Sequence, residues 1–106
     1  MDPKIKSQWV KALRSGRYVQ GQGRLKNHKD EMCCLGVLCD ISGFGVWSFE
    51  GYESDGITTQ YYPPQSVQAW AGLEEEDPYV TDRRLSTHND TGSTFRQIAN
   101  LIEIYL

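Results

Sequence analysis

Apolar residues near the start of the chain recur at helical spacing. Four of them share one helix face, at i, i+4, i+7 and i+8: Ile5, Trp9, Ala12 and Leu13. Asp2 is a preferred N-cap residue, and Pro3 suits the first helical position because that position needs no N–H donor. Gly16 can adopt the positive φ of a helix C-terminus. The pattern therefore predicts a first helix over about residues 3–15.

The end of the chain repeats this periodicity and adds a clear start signal. Thr94 and Gln97 have the spacing of a capping box, in which each side chain accepts a hydrogen bond from the backbone N–H of the other residue. Five apolar residues then fall on one face: Phe95, Ile98, Ala99, Ile102 and Tyr105. We expect a last helix over about residues 94–105.

Two shorter apolar segments lie between these helices. Residues 31–41 form the densest apolar run and contain three cysteines. We favour a short buried helix there, ended by Gly43, and its length leaves a strand as the alternative. Pro64 is tolerated in a first helical turn, and the apolar spacing that follows predicts another short helix closed by Gly72.

The sequence between the two short helices predicts β-strands. Residues 46–49 and 57–62 read as the strands of a hairpin, and the Gly51–Gly56 stretch reads as its mobile polar tip. Residues 17–25 are interpreted as a strand or loop-strand, and Glu74–Pro78 as a solvated linker. The chain thus reads as one α+β domain over residues 1–106, with three to four short helices packed on a small antiparallel sheet or hairpin.

Composition narrows the class of protein. Hydrophobic residues make up 39% of the 106 residues and aromatics 11%, which is too rich for a disordered chain. No apolar run approaches the roughly 18–20 residues that a membrane-spanning helix needs, and the first residues do not resemble a signal peptide. Three cysteines are an odd count, so we expect free thiols in a reducing cytoplasm.

Charge is distributed unevenly along the chain. Residues 1–29 carry eight Lys or Arg against one Asp, whereas residues 30–106 carry three Arg against thirteen acids. This split predicts a cationic face for a small anionic ligand, beside an acidic remainder that repels duplex nucleic acid. The simpler alternative is a solvated lysine face on the first helix.

The cysteines invite two chemical interpretations, and we favour neither. A zinc set of three cysteines with His28 lacks the second ligand pair that structural sites show. A catalytic cysteine activated by His88 with Asn89 or Asp90 conflicts with the apolar neighbours of Cys33, which raise the pKa of a thiol. We expect no metal, no cofactor and no catalytic residues.

The segment before the last helix is a second candidate for binding an anionic ligand. Residues 85–94 are rich in hydroxyl and amide side chains and lead into the helix N-terminus, an arrangement that accepts anions. The alternative is an Asx turn made by Asn89 and Asp90 that simply leads into the cap. One ring of an aromatic set could also stack on a base, although most of the set should be core: Tyr18, Trp47, Tyr61, Tyr62 and Trp70.

Motifs along almost the whole chain resemble a family of small proteins encoded by tailed bacteriophages and prophages. The resemblance rests on Trp9, Ala12-Leu13-Arg14-Ser15-Gly16-Arg17-Tyr18, Gln20-Gly21, Gly23-Arg24-Leu25, Cys33-Cys34-Leu35-Gly36-Val37-Leu38-Cys39-Asp40, Trp70-Ala71-Gly72-Leu73, Asn89-Asp90, Gly92, Phe95, Ile98-Ala99 and Ile102-Glu103. It implies an accessory phage function in the cytoplasm of a bacterial host, with no catalytic residues to carry over. By analogy, phage proteins of this size often block host defence by sequestering a nucleotide signal or by capping a defence enzyme.

The leading hypothesis is a non-enzymatic phage protein that sequesters a small anionic nucleotide signal, of cyclic-nucleotide or ADP-ribose type. The predicted ligand-binding residues are Arg17, Tyr18, Gln20, Arg24, Lys26, Trp70, Asn89 and Asp90. The arginines and the lysine would neutralise phosphate, the polar side chains would bond base or ribose, and a ring would stack. A homo-oligomer is expected, since a subunit interface can share such a pocket.

Two other functions stay open. In the first, an acidic face built from residues 74–77 and the 50–55 loop inhibits a host defence protein. In the second, the chain is a small hydrolase that acts on the nucleotide signal. We expect no binding to duplex nucleic acid or to membranes.

Overall fold

The first and last helices pack against each other and begin where the sequence predicts. The computed structural model describes residues 1–106. Helix α1 spans Pro3–Arg14, and the Asp2 carboxylate accepts hydrogen bonds from the first-turn N–H groups. Helix α5 spans Phe95–Tyr105 and has both hydrogen bonds of the capping box. Both predicted helices are confirmed.

Helix α2, Cys34–Ser42, runs through the centre of the core. Its residues from Cys34 to Cys39 are all buried, and the Trp9 indole Nε1 donates to the Cys34 carbonyl at 3.0 Å. Gly36 lets α2 approach the preceding loop, because a Cβ there would collide with the Leu25 carbonyl oxygen. The helical interpretation of the cysteine run is confirmed, and Gly43 ends the helix with φ 70°.

A three-stranded antiparallel sheet follows, with strands in the order β1-β2-β3. The strands are β1 Val46–Ser48, β2 Gly51–Ser54 and β3 Ile57–Thr59. The predicted mobile tip is therefore wrong for residues 51–54, which form the central strand. The β2–β3 turn consists of Asp55 and Gly56, whose φ angles of 54° and 77° match the type I′ turn that Asp-Gly favours.

The second half adds one predicted helix and one that the sequence did not reveal. Helix α3, Gln65–Ala71, ends at Gly72 as expected. A two-stranded ribbon of β4, Tyr79–Val80, and β5, Arg83–Arg84, leads directly into α4, Leu85–Asp90. The prediction of an Asx turn for Asn89 and Asp90 is wrong, because both residues end a helical turn.

Asp77 explains how so short a helix forms. Its Oδ1 accepts from the Ser86 N–H at 3.0 Å and its Oδ2 accepts from the Ser86 hydroxyl. Asp77 is only 3% exposed, and Pro78 is also buried. The solvated-linker prediction therefore holds for residues 74–76 and is wrong for these two, since Asp77 caps a helix from within the fold.

The α+β class is confirmed, and the structure has five short helices around small antiparallel sheets. Residues 17–25 form a loop rather than a strand, with one isolated bridge from Gln20 to Met32. No helix has both the length and the apolar character to cross a bilayer.

Candidate functional site

The predicted ligand-binding residues fall into four places in the structure. Gln20, Asn89 and Asp90 come together where the 20–30 loop meets α4 and α5. Arg24 and Lys26 lie further along that loop. Arg17 and Tyr18 lie between the end of α1 and this loop, and Trp70 lies on α3.

Gln20 and Asn89 are joined in one buried hydrogen-bond network. Asn89 is 1% exposed, and its Oδ1 accepts from Gln20 Nε2 at 3.0 Å and from the Cys34 N–H at 3.2 Å. Its Nδ2 donates to the Gly21 carbonyl at 2.8 Å and to Asp90 Oδ1 at 2.9 Å. Every polar group of this side chain is thus engaged within the chain.

The rest of this Gln20–Asn89 network fastens the loop to α5. Gln20 Nε2 also donates to the Ser93 carbonyl at 2.8 Å, and Gln20 Oε1 accepts from the Phe95 N–H at 3.1 Å. Asp90 Oδ1 accepts from the Gly23 N–H at 3.2 Å. Because the side-chain amides of Gln20 and Asn89 already hold the loop in place, these two side chains have little hydrogen-bonding capacity left for a ligand.

A cavity of about 420 Å³ lies between loop residues 26–30 and residues 47–49 at the end of strand β1. We call it the cation–aromatic cavity, and its lining residues are Lys26, Asn27, His28, Asp30, Trp47, Ser48 and Phe49. Its volume lies within the roughly 300–1,000 Å³ that small-molecule sites occupy.

Lys26, which lines this cavity, and Arg24, which lies next to it, have weak partners. Lys26 Nζ lies 5.4 Å from the centroid of the Trp47 ring and 3.6 Å from Asp30 Oδ1. Arg24 Nη1 lies 3.4 Å from His28 Nε2. Two of the predicted phosphate-binding residues, Arg24 and Lys26, are thereby placed at or next to one concave surface.

The aromatic side of the cavity is unusually open. Phe49 occupies the first residue of the two-residue β1–β2 turn and is 83% exposed. Its ring stacks on His28, with centroids 4.7 Å apart and planes at 17°. One face of the Phe49 ring therefore contacts His28, and the opposite face is open to a ligand.

Tyr18 supports the far wall of the cavity. Its hydroxyl donates to Asp40 Oδ2 at 2.7 Å, and Trp47 Nε1 donates to Asp40 Oδ1 at 3.0 Å. Burial and the neighbouring Asp40 carboxylate raise the pKa of Tyr18, which keeps its hydroxyl a neutral donor. Arg17 contacts the Tyr18 ring, with its guanidinium carbon 5.8 Å from the centroid.

Trp70 is placed elsewhere. It is half-buried on α3 and packs edge-on against Phe44, with ring centroids 5.8 Å apart. It is not among the residues that line the cation–aromatic cavity.

All three cysteines are buried free thiols. Burial raises the pKa of Cys33 to about 11 and also raises the pKa values of Cys34 and Cys39. His88 is held at 2.8 Å from the Val80 carbonyl. No group of three or more His, Cys, Asp or Glu side chains is arranged to hold a metal ion. The thiols therefore stay protonated near neutral pH, as their apolar neighbours predict.

The sequence did not single out His28 and Phe49 as ligand-binding residues. They are separated by 21 positions in the chain and meet only because the loop lies against the β1–β2 turn. The one local signal was a phenylalanine at a position that a two-residue hairpin turn exposes to solvent.

Comparison with known proteins places the chain in a family. A search of the curated proteins and a search of the solved structures return no match. One protein-family model, described as a domain of unknown function (DUF8296), matches residues 1–106. Since the match covers the whole of this sequence, the chain belongs to the DUF8296 family.

Proposed function

We propose that this protein is a non-enzymatic accessory protein of a phage or prophage that binds and sequesters a small anionic nucleotide signal of the host's defence. The binding site is the cation–aromatic cavity. The motif resemblance described above supports the phage origin and the cytoplasm of the bacterial host as the place of action. The homo-oligomer remains an expectation from the sequence.

The observation that carries the proposal is the Phe49 ring. A phenylalanine that is 83% exposed leaves a large apolar surface in water, and one ring face is already ordered by the His28 stack. A nucleobase on the open face would add about 1–3 kcal/mol of stacking free energy. Lys26 and Arg24 lie beside it, where the phosphates of the same ligand would be neutralised.

The existing partner of Lys26 does not prevent this role. The side chain of Asp30 is 85% exposed, and a solvent-exposed ion pair of this kind is worth about 0–1 kcal/mol. A charge-assisted hydrogen bond to phosphate contributes about 1.5–3 kcal/mol. Two such contacts and one stacked base reach, at the upper end, the roughly 8 kcal/mol that corresponds to micromolar affinity.

Binding without chemistry is proposed because the nucleophile candidates are protonated thiols. Burial raises the pKa of Cys33 to about 11 and also raises those of Cys34 and Cys39. The thirteen acids of residues 30–106 also disfavour a long polyanion, which supports a small ligand over duplex nucleic acid.

The experiment is a thermal-shift panel followed by titration calorimetry. The probes are cyclic AMP, cyclic di-AMP, ADP and ADP-ribose, with uncharged adenosine as the comparison. We expect at least one phosphate-bearing probe to bind, and at 100 times its Kd to raise the free energy of unfolding by about 2.7 kcal/mol. Chemical analysis of the recovered probe should show it unchanged.

Matched variants locate the site. Phe49→Ala should abolish the thermal shift, whereas Phe44→Ala should retain it, because Phe44 is an exposed ring that contacts Trp70 instead. A panel with no shift for any probe contradicts the proposal and favours the inhibitor with an acidic face.

A further inference from the structure

We infer that the ligand carries a sugar beyond its phosphates, and that this sugar occupies a second, smaller cavity next to Arg24. This inference rests on the proposed function and names the class of nucleotide that the site takes. That class is a nucleoside diphosphate joined to a sugar, of which ADP-ribose is one example.

The second cavity has a volume of about 80 Å³. Its lining residues are Gly23, Arg24, Cys33, Tyr61, Tyr62, Ser86 and Asp90. A cavity needs roughly 10–15 Å³ to hold one water molecule. The second cavity is several times larger, so it has room for a group that carries several hydroxyls. We call it the Asp90 cavity.

Arg24 connects the two cavities. It lines the Asp90 cavity, and its Nη1 lies 3.4 Å from Nε2 of His28, which lines the cation–aromatic cavity. Its Nε is one of only two buried side-chain nitrogen or oxygen atoms that have no hydrogen-bond partner. A phosphate bound at Arg24 would therefore lie between a base on Phe49 and a second group beside Asp90.

The polar groups of the Asp90 cavity suit hydroxyls. Both hydrogen bonds that Asp90 accepts use Oδ1, so Oδ2 is free to accept others. The hydroxyls of Tyr61 and Tyr62 make no hydrogen bond within the chain, and both side chains are exposed. A carboxylate oxygen accepts short, strong hydrogen bonds from hydroxyl groups.

The same carboxylate argues against a second phosphate in this cavity. Asp90 would repel a phosphate group, whereas a sugar is uncharged and supplies donors to Oδ2. This separates the two ligand types that the sequence left open. A cyclic dinucleotide would bring a second charged phosphate and a second base, and the Asp90 cavity matches neither.

The test compares the affinities of ADP and ADP-ribose by calorimetry, with wild-type protein and two Asp→Asn variants. We expect ADP-ribose to bind about tenfold more tightly than ADP, and Asp90→Asn to bring that ratio close to one. Asp90→Asn retains an oxygen that can accept from the Gly23 N–H. Asp55→Asn is the matched control, because Asp55 lines neither cavity and lies in the β2–β3 turn at a positive φ that Asn also tolerates.

The outcomes separate this inference from the proposed function. If ADP binds in a Phe49-dependent manner and ADP-ribose binds no more tightly, the sugar site is wrong and the nucleotide site stands. If neither ADP nor ADP-ribose binds while a cyclic nucleotide does, only the sugar site is overturned, and if no phosphate-bearing probe binds, both are overturned. Should Asp90→Asn fail to fold, Tyr62→Phe decides the question: a lowered ADP-ribose to ADP ratio supports the inference, and an unchanged ratio overturns it.

Discussion

The Gln20–Asn89 network and the cation–aromatic cavity are built from the same loop, and they differ in what their polar groups do. In the network, the amide groups of Asn89 make four hydrogen bonds inside the protein. In the cavity, Lys26 contacts only the Trp47 ring and the exposed Asp30 carboxylate, and Phe49 has a free ring face. Polar groups paired within the fold stabilise it, whereas those left open to solvent can bind a ligand.

Among the substitutions that test this difference, one in the Gln20–Asn89 network should have the largest effect, and that effect is on stability. Asn89→Ala removes the acceptor of the Cys34 N–H and the donor to the Gly21 carbonyl, both in buried residues. Each unsatisfied buried group costs about 1–3 kcal/mol, so we expect the free energy of unfolding to fall by about 3–5 kcal/mol. Urea denaturation measures this change.

Asn100→Ala is the matched control for that variant. Asn100 is an exposed amide whose Oδ1 accepts from Arg14 Nη2 at 2.7 Å. Its loss should cost no more than about 1 kcal/mol. Equal effects of the two substitutions would show that the network has no special role in stability.

The next effect concerns the buried thiol at the start of α2. Because burial raises the pKa of Cys33 from its ordinary value of 9.0 to about 11, the folded state favours the neutral thiol. Its contribution to stability is complete below pH 9 and is lost as the pH rises from 9 to about 11. The rise of the pKa from 9.0 to about 11 corresponds to about 2–3 kcal/mol in the free energy of unfolding.

Denaturation midpoints at pH 7 to 11 test this prediction against Cys33→Ala. Every other titratable group is present in both proteins, so the difference between the two curves isolates Cys33. The wild-type protein should lose more stability above pH 9 than the variant does. Parallel curves would mean that Cys33 titrates normally and is accessible to solvent.

A substitution in the cation–aromatic cavity should have a smaller effect, and we expect that effect on the affinity for the ligand. Lys26→Gln removes one phosphate contact and should weaken ADP binding about tenfold, equivalent to about 1.4 kcal/mol. The dependence of affinity on salt should also become shallower, because one charge fewer is involved. Lys29→Gln is the control, since Lys29 is an exposed loop lysine outside the cavity lining. Similar losses for both variants would point to general charge attraction.

The sequence predicted those parts of the fold that local signals determine. The α5 capping box, the Asp2 cap of α1 and the glycines that end α2 and α3 all appear where expected. Helix α4 was missed because its six residues favour turns, and its cap is Asp77, nine positions before the Ser86 that it bonds. Strand β2 was missed because its polar residues favour an exposed loop, and the sequence does not show that Tyr52 among them is buried.

The site was less predictable than the fold. Charge patterning identified Arg24 and Lys26, and they do lie at or beside a cavity. Gln20 and Asn89 have residue types that suit ligand recognition, but the sequence does not reveal that they pair with each other across 69 positions. The contact of His28 with Phe49 is likewise set by tertiary packing. A pattern along the chain predicts which groups are polar, and only the fold determines which of them stay unpaired.

The central claim is that a nucleotide binds between Phe49, Trp47 and the loop cations. The three tryptophans provide separate reporters of it, because Trp9 is in the core, Trp47 lines the cavity and Trp70 lies on α3. The most direct test is a titration of ADP-ribose followed by the three indole Nε1–H signals in a ¹⁵N–¹H NMR spectrum. We expect a saturable shift of the Trp47 signal, with the Trp9 and Trp70 signals unmoved. A Trp47 signal that stays in place through the titration, whether or not the Trp70 signal moves, would contradict it.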